Sequence, residues 1–187
     1  MPKISTYTPV TPADSDLILI TDASDSNNTK NVTISSLRAG ISSYTEIYDD
    51  NSGNSTTITV QGNFYRMATN TTQGLANDAT LTTDGAGRVT NTSGVSKTFA
   101  ITYCVSATAA SGSNQHFMFR LAKNGTTISY TETDTVTTGG SGSKASSVSN
   151  TAFITLANND YIEIWCTNNT STNAVVLEHL NLLLRQI

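Results

Sequence analysis

The sequence predicts an all-β fold: an antiparallel sandwich or jelly roll that follows an extended N-terminal arm. Ser, Thr and Asn make up 73 of the 187 residues, and only 13% of the residues are charged, roughly half the usual share. This composition favours strands and turns over helices. In the second half of the chain, apolar residues recur at every other position, which is the period of a half-buried strand. The length suits one domain with room for an arm.

The clearest strand begins at Phe99. Phe99, Ile101, Tyr103 and Val105 fall on one face of an alternating run, and small or polar residues fall on the other. Such a run indicates a strand with one face in the core.

A hairpin is predicted after the next strand. Residues 117–121 repeat the alternation, and Asn124-Gly125 follows them. Asn-Gly readily adopts the positive φ angles of a type I′ turn. We expect Ile128 and Tyr130 to return on the partner strand.

Residues 152–156 and 161–166 are predicted to form a second hairpin around the turn at 158–160. The two faces of the returning strand carry different side chains: Ile162, Ile164 and Cys166 on one, and Tyr161, Glu163 and Trp165 on the other. The segment 175–184 is rich enough in Leu for a helix, but its alternation and its neighbours favour a strand.

The sequence before Phe99 predicts shorter strands. Residues 56–60 and 64–67 are predicted as short strands, and 84–87 as a turn. Seven or eight short strands between 55 and 187 suit the sandwich and the jelly roll.

The first 45 residues differ from the rest. All three prolines of the chain lie there, and proline cannot take part in regular strand pairing at its own amide. Short strands are expected at 16–21 and 31–34. A helical turn is expected at 35–38, ended by Gly40. Two strands this small cannot bury a core of their own, so the arm needs another surface to pack against.

The sequence thus divides into an N-terminal arm at 1–45, a linker at 46–54 and a sandwich domain at 55–187. The apolar side chains of the arm are Leu17, Ile18, Leu19, Ile20, Val32, Ile34 and Leu37. Free strand edges can add to the sheet of another protein. We therefore predict that these residues anchor the arm on another protein or on a neighbouring subunit.

Charge and hydropathy exclude several function classes. The net charge is -4, and ten scattered basic residues form no patch for a phosphate backbone, so no nucleic-acid partner is expected. The apolar run 17–20 is far shorter than the roughly 20 residues that cross a bilayer, so no membrane partner is expected. The first residues lack the apolar stretch of a secretory signal.

No metal or cofactor is expected either. Cys104 and Cys166 match no zinc spacing; we expect two buried thiols, with a single bridge between them as the alternative. Asp and Asn cluster at 22–27 and 49–54. Calcium loops use such residues, although turns use them more often. The two histidines have no Cys or His partner nearby in the sequence.

The sequence also lacks the short motifs of hydrolases and nucleotide-binding enzymes, so no enzyme is expected. Glu163 lies between Tyr161 and Trp165 on one strand face. Such a face could stack a sugar, and the alternative is a partly buried subunit contact, where aromatic residues concentrate. A polysaccharide-degrading enzyme that uses paired carboxylates is a third hypothesis, although the chain has only four Glu for such a pair.

Two parts of the chain resemble known proteins. Residues 14–25 and 29–37 resemble the amino-terminal segment of many tailed-bacteriophage virion proteins. The carboxy-terminal half, with the stretches 119–126 and 156–165, is similar to the trimeric tumour necrosis factor-like jelly rolls found on phage capsids and fibres. Residues 46–98 add only short strand and turn signals to this match.

The resemblance implies a homotrimer on the outer surface of a phage capsid, made in the host cytoplasm. It would be a non-enzymatic decoration, or cement, protein, bound by its arm to the major capsid protein or another virion protein. The alternative is the receptor-binding knob of a head or tail fibre, which would recognise a host surface glycan through loops such as 139–144. Trimer contacts are expected at Tyr103, Tyr161 and Trp165.

Overall fold

A computed structural model of the chain describes residue 13 and residues 15–22, 28–33, 43–137 and 145–187. These residues belong to two compact units, one that ends at Ser42 and one from Ser43 to Ile187. The strands in chain order are β1 (Leu17–Asp22), β2 (Asn28–Thr33), β3 (Tyr44–Asp50), β4 (Ser55–Thr56), β5 (Tyr65–Arg66), β6 (Thr72–Ala76), β7 (Leu81–Thr83), β8 (Val89–Asn91), β9 (Lys97–Ala109), β10 (Gln115–Lys123), β11 (Thr126–Thr127), β12 (Thr133–Thr137), β13 (Ser146–Leu156), β14 (Tyr161–Asn168) and β15 (Val175–Gln186).

The first unit contains a two-stranded antiparallel sheet. β1 pairs with β2 without a break, from Leu17 opposite Thr33 to Asp22 opposite Asn28. The two strands predicted in the arm are therefore present, and they pair with each other. The helical turn predicted at 35–38 lies outside the described residues.

The second unit is an antiparallel sandwich of two sheets. The β9 sheet has the order β13-β9-β15-β3-β6, and β4 also pairs with β15. The β10 sheet has the order β11-β10-β14-β8-β7, and β12 also pairs with β10 while β5 pairs with β14. Strands that are distant in sequence lie side by side, as the Greek-key connections of a jelly roll require. The all-β jelly-roll class predicted from the sequence is confirmed.

The core lies between the sheets and consists of the inward side chains of each strand. Buried and more open positions alternate along the whole of β9, which confirms the alternation predicted from Phe99. β15 alternates in the same way, apart from a register shift between Leu177 and His179. The Leu-rich segment is a strand because it lies between β9 and β3, where every second side chain is buried.

The turn after β10 has the geometry that its sequence predicts. Asn124 and Gly125 have φ angles of 51° and 75°, both positive as a type I′ turn requires. The returning strand is shorter than expected, because a 3-10 turn at Ser129–Thr131 follows β11 and β12 then takes over the pairing with β10. Ile128 and Tyr130 consequently lie outside any strand.

The second predicted hairpin is wrong in its pairing. β13 pairs with β9 and β14 pairs with β10, so the turn between them carries the chain from one sheet to the other. Asp160 stabilises this corner: its carboxylate accepts hydrogen bonds from the backbone N–H of Ala157 at 2.8 Å and from Asn124 Nδ2 at 2.6 Å, and Lys123 Nζ lies 2.7 Å away. Hydrogen bonds from Lys123, Asn124 and Ala157 lower the pKa of Asp160 to about 2.

The structure corrects the linker predicted at 46–54. Most of β3 lies in that segment, paired with β15 on one side and β6 on the other. Ile47 is fully buried, and Thr45 and Asp49 share its inward face. Because two of these three inward residues are polar, the sequence shows no apolar alternation that would predict this strand. The sandwich therefore begins at Ser43 and not at residue 55.

The upstream strands are present but short. β4 and β5 have two residues each. The segment 56–60 contains only the second residue of β4, and the segment 64–67 contains the whole of β5. The turn predicted at 84–87 joins β7 to β8. Gly85 and Gly87 in this turn both have positive φ angles, which glycine adopts without strain.

The two cysteines are free and lie in different surroundings. Cys166 is buried, and burial raises the pKa of its thiol to about 12. Cys104 is exposed, so the expectation of two buried thiols is wrong for this residue, and the alternative of a bridge is excluded. Period-two alternation explains the difference, because Cys104 lies on the outward face of β9.

Candidate functional site

The arm presents apolar side chains in its short sheet. Leu17 and Leu19 lie on one face of β1 and are 59% and 72% exposed, and Ile18 is also exposed. Val32 on β2 is half-buried. Of the other predicted anchoring positions, Ile34 and Leu37 lie outside the described residues, as does the side chain of Ile20. A two-stranded sheet with exposed leucines is marginal by itself in water.

The outward face of β9 and β13 carries no charge. Its side chains are Thr98, Ala100, Thr102, Cys104, Ser106 and Thr108 on β9, and Ser147, Ser149, Thr151, Phe153 and Thr155 on β13. The hydroxyls of Thr98 and Thr155 are hydrogen-bonded to each other at 2.8 Å, and those of Thr102 and Thr151 at 2.8 Å. Phe153 is 65% exposed. Because these hydroxyls bond to one another, covering this face costs less desolvation than covering free polar groups.

Tyr103 is not available for a subunit contact. Its side chain is fully buried in the core. Its hydroxyl donates to the carbonyl oxygen of Thr131 at 2.7 Å and lies 2.8 Å from the hydroxyl of Thr133. Burial raises the pKa of Tyr103. The predicted trimer contact at Tyr103 is therefore wrong, because the buried hydroxyl finds its partners inside the same chain.

Tyr161 and Trp165 are half-buried on the outward face of β14, and Glu163 lies between them with only 2% of its side chain exposed. Arg66 Nε lies 3.0 Å and the Arg88 guanidinium 3.2 Å from Glu163 Oε2. Trp165 Nε1 donates to Glu163 Oε1 at 2.9 Å. Both oxygens of Glu163 are thus occupied, and the carboxylate connects β14 to β5 and to the β7–β8 turn and fixes one aromatic ring.

Asp84 supports the same cluster from the β7–β8 turn. Its carboxylate accepts a hydrogen bond from Arg66 at 2.9 Å and from the backbone N–H groups of Ala86 and Arg88 at 2.8 and 3.0 Å. Partial burial acts to raise the pKa of Asp84, but these hydrogen bonds and the Arg66 charge outweigh it, so the pKa is lowered. The Arg88 guanidinium lies 3.7 Å from the centre of the Tyr161 ring, a cation–π contact.

The structure adds three residues to this site that the sequence did not indicate: Arg66, Asp84 and Arg88. Arg66 belongs to β5, and Asp84 and Arg88 belong to the turn between β7 and β8; they converge because β5 and β8 both pair with β14. Spacing along the chain carries no signal for such a cluster. The only sequence feature that indicated this site was the alternation that places Glu163 between two aromatic residues.

The acidic segment 49–54 makes contacts within the sandwich, and of the other acidic segment, 22–27, only Asp22 lies among the described residues. Asp49, one of the Asp residues weighed for calcium, accepts a hydrogen bond from the backbone N–H of Ser52 at 3.1 Å, which is the turn role of Asp. It also accepts one from the backbone N–H of Asn70 at 2.6 Å. His116 Nε2 lies 2.8 Å from Asp134. Within the described ranges, no group of three or more His, Cys, Asp or Glu side chains could hold a metal ion. The same ranges contain no helix of the length and hydropathy that would span a membrane.

No protein-family model matches the chain, and no curated protein sequence matches it. Similar solved structures include the PRD1 vertex protein P5, at 10% identity, with 96% of this chain and 85% of that chain covered and a TM-score of 0.47. The globular domain of zebrafish complement 1qA matches at 11% identity over 78% of this chain and 96% of that chain, with a TM-score of 0.47. Murine APRIL matches at 11% identity over 77% and 99%, with a TM-score of 0.46.

Proposed function

We propose that the chain is a non-enzymatic structural protein of a bacteriophage virion, a homotrimeric decoration protein that its arm attaches to the outer surface of the capsid. The observation that carries this proposal is the separate two-stranded unit with Leu17 and Leu19 exposed. The sequence resemblance of 14–25 and 29–37 to the amino-terminal segments of phage virion proteins supports it. A cement protein of this kind stabilises the shell by bridging neighbouring capsomers.

The arm would bind through both its edges and its leucines. Neither β1 nor β2 has a second partner strand among the described residues, so each leaves a row of backbone groups for another sheet. In strand addition, main-chain hydrogen bonds supply affinity and alternate side chains set the register. Leu17 and Leu19, two positions apart, supply such alternate side chains to the major capsid protein or to another virion protein.

A truncated chain that begins at Ser43 tests the anchoring role. We expect it to remain soluble and rich in strand by circular dichroism, because the sandwich is a separate compact unit. We also expect it not to rebind particles that have been stripped of the native protein, as measured by sedimentation of particles with bound protein.

Two full-length variants keep this test specific. Leu17→Asp combined with Leu19→Asp should lose particle binding, while the matched pair Leu75→Asp and Val95→Asp, at equally exposed apolar positions of the sandwich, should retain it. If the truncated chain decorates particles as well as the full chain does, the arm is not the anchor.

The uncharged outward face of β9 and β13 is the surface that we propose for the trimer. Charged residues are depleted and aromatic residues enriched at the centre of subunit contacts, and Phe153 supplies an aromatic side chain in an uncharged setting. Tyr130, also exposed, lies beside it, with its hydroxyl 3.5 Å from the Phe153 carbonyl oxygen. Tyr161 and Trp165 remain predicted contacts at the outward face of β14.

Phe153→Asp is expected to convert a trimer of about 60 kDa, three times 19.8 kDa, into a monomer. The charge would have to lose its water at the centre of the contact, and that costs several kcal/mol. Light scattering coupled to gel filtration measures the mass. Val95→Asp is the matched control and should leave the trimer intact. A wild-type chain that runs as a monomer at micromolar concentration would contradict the trimer.

The alternative function, a receptor-binding knob, is favoured by the half-exposed aromatic residues on β14. The loop at 139–144 that was predicted to touch the host lies outside the described residues. The number of copies per virion distinguishes the two functions, because a cement protein covers the shell in many copies and a fibre knob is present in few. Quantitative gel staining of purified virions measures this copy number.

A further inference from the structure

An open cleft of about 450 Å³ lies on the β10 sheet beside Trp165. This volume falls within the roughly 300–1,000 Å³ of small-molecule sites. Three aromatic and three polar side chains line it: Phe64, Tyr65, Trp165, Asn63, Thr126 and Thr127. Two separate segments, the loop before β5 and the β10–β11 hairpin, thus form its sides around a residue of β14.

Two of the three rings are held in place by hydrogen bonds. Trp165 Nε1 donates to the buried carboxylate of Glu163 at 2.9 Å. The hydroxyl of Tyr65 accepts a hydrogen bond from the backbone N–H of Val60 at 2.9 Å and lies 2.7 Å from the Thr59 hydroxyl. The polar ends of both side chains are therefore bound within the protein, and their rings lose little freedom when a ligand covers them.

The third ring is held by stacking. The Arg120 guanidinium lies 4.3 Å from the centre of the Phe64 ring, and Arg120 Nε donates to Glu132 at 2.8 Å. Gly62 and Gly125 also line the cleft, both at positive φ angles that other residues rarely adopt. A side chain at either position would therefore strain the backbone of the loops that form the sides of the cleft.

We propose that this cleft binds a neutral saccharide. A sugar ring has an apolar C–H face that packs on aromatic rings and hydroxyls at its edge that need hydrogen-bond partners. Asn63 supplies an amide, and Thr126 and Thr127 supply hydroxyls, each able to donate and accept. None of the lining side chains is charged, and the nearby Arg120 is already paired with Glu132, which favours a neutral ligand over an ion. The inference does not depend on the arm, and it assigns Trp165 to a ligand instead of the predicted trimer contact.

The cleft contains its own reporter, because Trp165 is the only tryptophan of the chain. The full chain is titrated with maltose, cellobiose, lactose and N,N′-diacetylchitobiose while the tryptophan emission is recorded. We expect at least one of these disaccharides to shift the emission saturably, with a Kd on the order of 1 mM. Saturation-transfer NMR on the same disaccharide gives an independent measure of binding.

Two variants test whether the cleft is responsible. Asn63→Ala removes the amide at an exposed position, and Phe64→Leu removes a ring while keeping an apolar side chain. Each should weaken binding by about fivefold or more. Tyr48→Ala removes an exposed aromatic ring on β3, outside the cleft, and should leave Kd unchanged. If Phe64→Leu lowers the stability of the fold, Thr127→Val replaces it in this test, because that change removes one hydroxyl with little change of shape.

The proposal is overturned if none of the four disaccharides produces a saturable shift or an NMR signal. It is also overturned if binding survives all the cleft variants, or if a decaproline peptide binds the cleft while the disaccharides do not. All of these measurements use the soluble protein without particles. A negative result in the sugar titrations therefore does not contradict the anchoring proposal. A negative result in the particle-binding experiment does not contradict the cleft proposal.

Discussion

Glu163→Gln is expected to lower the free energy of unfolding by about 2 kcal/mol. The amide keeps the shape and can still accept the hydrogen bond of Trp165, but it removes the negative charge between Arg66 and Arg88. Breaking a fully buried ion pair costs about 3–5 kcal/mol. The value here is smaller because about a third of each arginine side chain is exposed and water screens it.

Thermal unfolding at one fixed protein concentration measures this effect, with a fall in Tm of about 6 °C for a domain of this size. Glu132→Gln is the matched control, since Glu132 also pairs with an arginine but is 32% exposed. Exposed pairs contribute about 0–1 kcal/mol, so its Tm should fall by about 3 °C at most. Equal stability of Glu163→Gln and the wild type would show that the charge in the cluster is not stabilising.

Asn168→Ala is expected to be more costly, at about 3 kcal/mol. The side chain of Asn168 is completely buried and satisfies several groups at once. Its Nδ2 donates to Gln115 Oε1 at 2.9 Å and to the Asn173 carbonyl oxygen at 3.0 Å. Its Oδ1 accepts from the backbone N–H groups of Thr170 and Ser171 at 2.9 and 3.3 Å. Alanine leaves all four without this partner at the turn between β14 and β15.

Urea unfolding followed by circular dichroism gives the change as a lower midpoint with an unchanged m-value. The adjacent Asn169→Ala is the control: Asn169 is exposed, and its backbone hydrogen bonds to His116 and Gln61 do not need its side chain. This control should stay within about 0.5 kcal/mol of the wild type. If both variants lose the same stability, the buried network of Asn168 has no special role.

The strands that the sequence predicted most clearly have apolar side chains at the inward positions on which the prediction rested. Phe99, Ile101, Tyr103 and Val105 illustrate this, as does the Asn-Gly turn, whose backbone conformation depends on the two residues themselves. β3 was missed because Thr45 shares the inward face of Ile47, and its hydroxyl is satisfied by a contact with Gln73 across to β6. A polar residue with a partner from a distant segment is buried at low cost, and no local pattern indicates the partner.

The sequence predicted the functional surfaces only in part, as it did the strands. Alternation placed Glu163 between Tyr161 and Trp165, and the structure has that order on β14. Alternation alone does not say which face is covered, which is why Tyr103 was assigned to a contact surface and Cys104 to the interior. The partners of Glu163 come from strands that pair with β14 only in the folded chain, so they could not be inferred from neighbouring residues.

The position of β15 determines when the sandwich can fold during synthesis. This strand, Val175–Gln186, lies between β9 and β3 and pairs with both along most of its length. A ribosome-bound chain that has not yet produced it exposes two apolar strands with open edges, which is the state most prone to aggregate. Contacts between segments so far apart in sequence also slow folding. A nascent chain would therefore gain its native protease resistance only after the twelve residues of β15 have left the exit tunnel.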